Sequence, residues 1–151
     1  MTSIDKLQST IGIRFNNPAT LEQALTHSSY INENPAGNAG DNERMEFLGD
    51  ALLNFFVAEQ LYLDFPDLPE GKLTEIRVSL IRQDKLAEKA AQLELGNHLL
   101  LGKGEDTSGG REKRNNLADA YEALTAAIYL DQGCEKARSF VLSVSQWTSR
   151  P

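Results

Sequence analysis

Two short segments of this chain combine carboxylates with apolar residues at helical spacing. The first covers residues 42–50 (NERMEFLGD) and the second covers residues 117–124 (LADAYEAL). Burying an acid costs free energy unless another group neutralises its charge. Two acidic segments of this kind in one small protein therefore predict carboxylates gathered around metal ions.

The spacing within each segment puts the acids on one helix face. Glu46 and Asp50 lie about 40° apart on adjacent turns, because each residue of a helix advances by about 100°. Asp119 and Glu122 are three residues apart and also share a face. Like charges at these spacings weaken a helix, and a bound cation removes that cost. These four carboxylates are the candidate metal ligands.

The donor type indicates which metal. Oxygen ligands without histidine or thiolate partners suit Mg²⁺ or Mn²⁺ rather than zinc, and four acids can serve one or two such ions. This chemistry matches metal-assisted phosphodiester hydrolysis. A di-iron bundle would need paired Glu-x-x-His motifs, and neither His27 nor His98 follows a glutamate by three residues. We interpret both histidines as structural.

Glu43 has two interpretations. It lies one helical turn before Glu46, on nearly the same face. An acid in the first turn is also favoured by the helix dipole whatever its function, so a role at the helix end stays open. Asp119 and Glu122 have an alternative interpretation too: acids at this spacing are common on exposed helix faces that bind nothing. Only the combination of the two acidic segments points specifically to a metal site.

The elements that must position these acids are almost all helices, so the predicted fold class is all-α, in one domain over residues 1–151. Polar, turn-forming loops are expected at 32–42 and 101–112, and the second contains four glycines. Asp41 or Asn42 is expected to cap the helix that follows, and Gly133 suits a left-handed C-terminal cap. The helix from residue 43 is apolar on nearly all sides, which predicts a place in a core or an interface. The predicted helices cover residues 3–11, 18–27, 43–63, 73–80, 84–93, 113–130 and 135–147.

Composition narrows the class of protein. The net charge of −7 argues against a broad basic surface, although bound divalent cations would offset part of it. The single cysteine fits a reducing compartment. The sequence has neither a secretory signal nor an apolar segment of membrane-spanning length. We therefore expect a cytoplasmic protein.

The segment at residues 42–50 closely resembles the signature of the ribonuclease III endonuclease domain. The resemblance is collinear over most of the chain and includes Arg77. Its further segments are HSS at 27–29, EGKLT at 70–74, LGKGE at 101–105, SGGR at 108–111 and LADAYEALTAAIYLD at 117–131.

This resemblance implies a homodimeric, Mg²⁺-dependent enzyme that cleaves double-stranded RNA to 5′-phosphate and 3′-hydroxyl ends. Glu43 matches a further family acid near the site and the dimer interface. Phe47 matches an aromatic plug that enters the partner subunit, with ordinary core packing as the alternative. The implied catalytic and metal-binding set is Glu46, Asp50, Asp119 and Glu122.

RNA binding is expected to be weak and sensitive to salt. Many family members continue into a double-stranded-RNA-binding domain, and we expect none in this chain. Attraction must then come from the metals and from basic residues that share their segment with Glu105, Asp106 and Glu112. A solvated mixed-charge loop is the default for that segment. The candidate RNA contacts are Lys103, Arg111, Lys113 and Arg114.

Two other functions stay open at this point. One is a catalytically silent relative that keeps the fold to bind RNA or ribosomes. The other is a metal-dependent phosphohydrolase that acts on small molecules. The complete set of four carboxylates favours the nuclease over the silent relative.

Overall fold

The computed structural model describes residues 1–36 and 40–143, and these ranges are helical almost throughout. The all-α prediction is confirmed: within the described residues the one strand-like pairing is a single parallel bridge between Thr26 and Leu100. The helices are α1 (Ser3–Ile11), α2 (Pro18–Ala24), α3 (Ser28–Glu33), α4 (Glu43–Asp64), α5 (Glu70–Ile81), α6 (Gln83–Gln92), a 3₁₀ turn (Leu95–His98), α7 (Lys103–Thr107), α8 (Arg114–Gln132) and α9 (Cys134–Leu142).

Two short helices depart from the sequence prediction. Helix α2 ends at Ala24 rather than near residue 27, and α3 follows it directly. The reason is a tertiary contact: Leu100 donates its N–H to Leu25 O (2.9 Å), and His27 donates its N–H to Leu100 O (3.0 Å). Helix α7 lies inside the segment predicted to be a loop at 101–112. The predicted end of the last helix, residues 144–147, lies outside the described residues.

Helix α8 forms the centre of the fold, with α2, α4, α6 and α9 packed around it. Its side chains are buried almost without interruption from Asn116 to Ile128. Helix α4 buries one face, which includes Leu53 and Phe56, and exposes the other. The apolar residues of α4 therefore lie partly in the core and partly on the surface of the single chain. None of the described helices has the length and apolar character of a membrane span.

The ends of α4 and α8 follow from local chemistry. The Asp41 carboxylate accepts the Glu43 N–H (3.1 Å), whereas the Asn42 amide is buried and donates to Ala24 O (3.0 Å). Of the two expected caps, Asp41 is thus the one whose side chain acts. Gly133 ends α8 with φ +94° and ψ 178°, and its N–H bonds Tyr129 O. The predicted left-handed cap is therefore wrong: φ is positive, but ψ is extended.

Gly49 sets the distance between α4 and α8. A Cβ atom at this position would overlap the main-chain carbonyl of Glu122. The two backbones therefore meet at a point that only glycine permits. Because Glu46 and Asp50 flank Gly49 on α4, this crossing brings them next to the acids of α8.

Candidate metal centre

The four predicted carboxylates converge where α4 crosses α8. Glu46, Asp119 and Glu122 each offer one carboxylate oxygen, and these three atoms lie within 4.8 Å of one another. Asp50 stands outside this trio, and its carboxyl group is close enough to Glu122 to contribute to the raised pKa of that residue. The structure thus unites the acids of both segments, three of them tightly and one at the margin.

These acids differ in their exposure to solvent. Glu122 is only 9% exposed and lies within the continuously buried stretch of α8. Glu46 and Asp119 are half-buried, and Asp50 is exposed. The Asn54 amide donates to the main-chain oxygen of Asp50 (2.9 Å). The centre is therefore closed on its α8 side and open on the side of Asp50.

Burial and crowding disfavour the ionised form of these acids. Burial, with the adjacent Asp119, raises the pKa of Glu46 to about 7. Burial, with Asp50 second, raises the pKa of Glu122 to about 9. Burial also raises the pKa of Asp119, although a hydrogen bond from Glu46 opposes the change. At neutral pH the metal-free centre consequently keeps protons that ordinary carboxyl groups would lose.

This donor set fits a hard divalent cation. The trio supplies oxygen atoms alone, which suits Mg²⁺ or Mn²⁺ and not zinc. The raised pKa values of Glu46 and Glu122 have repulsion between carboxylates among their causes. A cation at this point would displace the protons and remove that repulsion.

Glu43 lies between the metal centre and an outer groove. It is exposed in the first turn of α4, and its side chain lines both a small cavity beside Glu46 and a larger groove beside Phe47. Both interpretations from the sequence, at the helix end and near the site, therefore agree with its position.

The small cavity, of about 60 Å³, contains a residue that the sequence analysis left out of the site. His27 caps α3, as a structural role would require. It also lines this cavity beside the acids, which the structural interpretation did not predict. The sequence contained one indication of this position: His27 belongs to the segment HSS at 27–29, which precedes the acidic segment at 42–50. His98 contacts Ser3 Oγ (2.6 Å), in keeping with a structural role. The cavity is lined by His27, Ser28, Asn42, Glu43, Glu46, Leu99, Asn116 and Asp119.

Phe47 points away from the core and is 81% exposed. The alternative of ordinary packing within one chain is therefore excluded. Beside it lies an open groove of about 650 Å³. The groove is lined by Gln23, Glu43, Arg44, Met45, Phe47, Leu48 and Leu130.

Two of the candidate RNA contacts are engaged in ion pairs inside the protein. The Arg111 guanidinium forms two bonds with Asp106 (2.9 and 3.0 Å) and donates to two main-chain oxygens, Gly96 O (3.0 Å) and Leu99 O (2.8 Å). Lys113 Nζ bonds both carboxylate oxygens of Glu105 (3.0 and 2.8 Å). These contacts tie α7 to its surroundings.

The other two candidates remain available. Lys103 begins α7 and Arg114 begins α8, and both are exposed. Within the described residues neither forms an ion pair. The charge that this segment can present to a polyanion therefore comes mainly from these two side chains.

Comparison with protein families and curated sequences gives a consistent result. The family model described as Ribonuclease-III-like matches residues 17–146. The chain is 49% identical over 141 residues to a protein named Ribonuclease 3 from Dehalococcoides mccartyi (strain CBDB1), covering 93% of this chain and 60% of the relative. It is also 49% identical over 139 residues to Ribonuclease 3 from Enterococcus faecalis, covering 92% and 60%. The chain thus spans about three-fifths of the length of these relatives.

Solved structures show the same fold. The nuclease domain of ribonuclease III from Campylobacter jejuni superposes with a TM-score of 0.88 and 35% identity, covering 100% of this chain and 99% of that one. A second structure of the Campylobacter jejuni domain has a TM-score of 0.86 and 37% identity, covering 93% and 94%. That study describes structural flexibility in a region involved in dimer formation of the Campylobacter domain.

Proposed function

Because this chain belongs to the ribonuclease III family, we propose that it is a nuclease domain that cleaves double-stranded RNA with Mg²⁺ or Mn²⁺. The products would carry 5′-phosphate and 3′-hydroxyl ends, and the cell compartment would be the cytoplasm. The observation that carries the proposal is the trio Glu46, Asp119 and Glu122, whose oxygens lie within 4.8 Å of one another.

All four acids bind the metal in this proposal. Glu46, Asp119 and Glu122 form the tight group, and Asp50, next to Glu122, supplies the fourth carboxylate. When bound, the cation activates a water molecule and stabilises the leaving oxygen of the phosphodiester. The burial of Glu122 fixes one wall of the site, and the exposure of Asp50 leaves the opposite side open to a phosphate backbone.

We further propose that two copies of the chain form a homodimer. Large apolar side chains exposed on neighbouring helices support this, because large exposed apolar patches commonly mark protein interfaces. Helix α5 buries none of its side chains completely, and Arg77 on it has a buried Nε without a hydrogen-bond partner among the described residues. The exposed large apolar residues near these helices are Phe47, Phe55, Tyr62, Leu63, Val78 and Leu130.

The same surface offers both halves of a symmetric contact. Phe47 protrudes, and the groove beside it can receive an aromatic ring. In a two-fold dimer the same patch of each copy contacts the other, so each Phe47 would enter the partner's groove. Glu43 lies at the edge of this groove and would face both the partner and the metal centre.

RNA contacts in this proposal fall on Lys103 and Arg114. Arg111 pairs with Asp106 and Lys113 pairs with Glu105, so their positive charges are balanced within the protein and attract RNA less. Duplex RNA is recognised largely by its shape and backbone, which fits the small number of available cations.

Cleavage of a long RNA duplex tests the function. The wild-type chain should cut the duplex with Mg²⁺ and leave it intact in excess chelator. Glu122→Gln should abolish cleavage, because it removes a metal ligand without changing the side-chain volume. Glu88→Gln is the matched control: Glu88 is exposed on α6 and, among the described residues, forms an ion pair with Lys85 alone, so cleavage should persist.

Two outcomes would contradict the proposal. Cleavage by Glu122→Gln, or in chelator, would rule out the metal-carboxylate mechanism. Duplex binding without cleavage by the wild-type chain at low salt and high protein concentration would favour the catalytically silent relative.

A further inference from the structure

His27 joins the metal centre to the segment that carries the basic residues. Its Nδ1 accepts the N–H of Ser29 (3.1 Å) and lies 2.8 Å from the Ser29 hydroxyl. The same hydroxyl oxygen accepts the N–H of Gly102 (2.8 Å), directly before α7. One side of the imidazole is therefore fixed by a chain of hydrogen bonds that ends at residue 102.

These contacts determine the tautomer of the ring. A nitrogen that accepts the N–H of Ser29 carries no proton, so in neutral His27 the proton resides on Nε2. The Ser29 hydroxyl accepts from Gly102 and can donate its own proton to Nδ1, which reinforces this arrangement. His27 consequently keeps one N–H donor for the cavity that its ring lines.

Several side chains line that cavity together with three carboxylates. Asn42 and Asn116 each direct one amide N–H elsewhere, to Ala24 O and Gly110 O (both 3.0 Å), and the Asn116 side chain also interacts with Glu105. The described hydrogen bonds of the His27 ring involve only Nδ1, so its Nε2–H remains available to a carboxylate of the cavity.

The acid that matches this donor is Asp119. His27 lies within electrostatic reach of two acids, Asp119 and Glu105. Both oxygens of Glu105 are bonded to Lys113, whereas Asp119 lines the cavity with His27. The described contacts include no direct hydrogen bond between His27 and Asp119, and the cavity is large enough for a bridging water.

We propose that His27 is a positioning residue, whose Nε2–H holds the Asp119 carboxylate, through one water in the cavity, in the orientation that metal binding requires. Ligands of a metal are commonly oriented by such outer partners, whose loss weakens metal affinity by about 10–100-fold. The inference rests on the proposed function in one respect, that Asp119 binds the metal.

Titration of the 151-residue chain with Mn²⁺ alone, without RNA, tests this role. His27→Asn should keep the cap of α3, because asparagine at this position accepts the Ser29 N–H as histidine does. It supplies no donor at the place of Nε2, so Mn²⁺ affinity should fall about 10-fold or more while the melting temperature stays close to wild type. His98→Asn, at the other histidine, should bind Mn²⁺ as tightly as wild type.

A second measurement needs no variant. Long-range ¹H–¹⁵N correlation of the wild-type ring should show the Nε2–H tautomer of His27 at neutral pH. An Nδ1–H tautomer would overturn the proposal even if His27→Asn fails to fold. Equal Mn²⁺ affinity of wild type and a folded His27→Asn would overturn it as well.

The outcomes also separate this inference from the proposed function. Wild-type protein that binds Mn²⁺ with an affinity that depends on His27, but cuts no RNA, would contradict the nuclease function and leave the role of His27 intact. Wild-type protein that cuts RNA while His27→Asn binds Mn²⁺ normally would contradict only the role of His27. Wild-type protein that binds no Mn²⁺ would overturn both.

Discussion

Protons and metal ions compete for the same oxygen atoms in the centre between α4 and α8. Glu46 and Glu122 have pKa values of about 7 and about 9, because burial and neighbouring carboxylates disfavour their charge. A divalent cation reverses that preference by supplying the missing positive charge. The protonation of single residues therefore links the stability of this domain to its metal content.

The stability of the metal-free protein should fall as the pH rises. The folded-state pKa values of Glu46 and Glu122 exceed their ordinary value of 4.5, so the folded state holds more protons than the unfolded state above pH 4.5. The stabilisation is complete below pH 4.5 and is lost as the pH passes 7 and then 9. Burial raises the pKa of Asp119 as well, so this acid contributes in the same direction. The pKa values of Asp5, Asp84, Glu105 and Asp131 are lowered instead, and these acids titrate below this window.

Thermal unfolding in chelator between pH 5 and pH 9 measures this effect. The midpoint should decrease across the range, and added Mg²⁺ should restore more of it at pH 9 than at pH 6. A midpoint that is independent of pH, or a Mg²⁺ effect that is largest at low pH, would contradict the assigned protonation.

Replacing Glu122 by glutamine should stabilise the metal-free domain while removing its metal binding. At pH 8 folding must keep Glu122 protonated, because burial and then Asp50 raise its pKa to about 9, whereas the unfolded chain ionises it. Glutamine keeps the volume of the acid and is neutral in both states, so it avoids that cost. We expect a gain of about 1 kcal/mol or more, which is ~2–4 °C for a chain of this size. Calorimetry in chelator measures the gain, with Glu88→Gln as the exposed control. A loss of stability in chelator would show that the ionised Glu122 is favourable.

At the scale of helices, the approach of α4 to α8 decides whether the acids meet. Gly49→Ala should force these helices apart, because the new methyl group overlaps the Glu122 carbonyl. We expect a destabilisation of about 1–3 kcal/mol and a loss of Mn²⁺ affinity. Gly104→Ala is the matched control, since a Cβ atom there has no neighbour within 4 Å. Normal Mn²⁺ binding by Gly49→Ala would mean that the spacing of α4 and α8 does not control the centre.

We expect Arg111 to stabilise the segment around α7, because its guanidinium bonds Asp106 and two main-chain oxygens. Arg111→Gln should lower the melting temperature, because it removes an ion pair with Asp106 and bonds to Gly96 O and Leu99 O. Lys103→Gln should leave the melting temperature unchanged and weaken RNA binding, with a shallower dependence on salt. Melting curves and duplex binding at several salt concentrations distinguish the two roles. An unchanged melting temperature for Arg111→Gln would contradict this stabilising role.

At the scale of the whole molecule, the proposed homodimer would cover the exposed face of α4. Phe47→Ala should shift the protein from dimer to monomer without unfolding it, because Phe47 is 81% exposed in the single chain. Sedimentation or light scattering at micromolar concentration measures the mass, and circular dichroism checks the fold. Phe47→Leu, which keeps part of the apolar volume, should weaken the dimer less. A wild-type mass equal to that of one chain would contradict the proposed dimer.

The amino-acid sequence by itself determined the features that depend on neighbours along the chain. Helical periodicity defined the all-α class and put Glu46 with Asp50, and Asp119 with Glu122, on common helix faces. The absence of histidine and cysteine from those faces indicated a hard cation. These properties are local, so they can be read from spacing and side-chain chemistry.

Only the tertiary structure decided the features that depend on residues far apart in sequence. Pairing of Leu25 and His27 with Leu100 ends α2 early and lets α3 begin. Contact between Gly49 and the Glu122 backbone makes three acids a tight group and leaves Asp50 at its margin. Such contacts follow from how whole helices pack, because a side chain's burial and its partners are properties of the assembled core and not of its own segment.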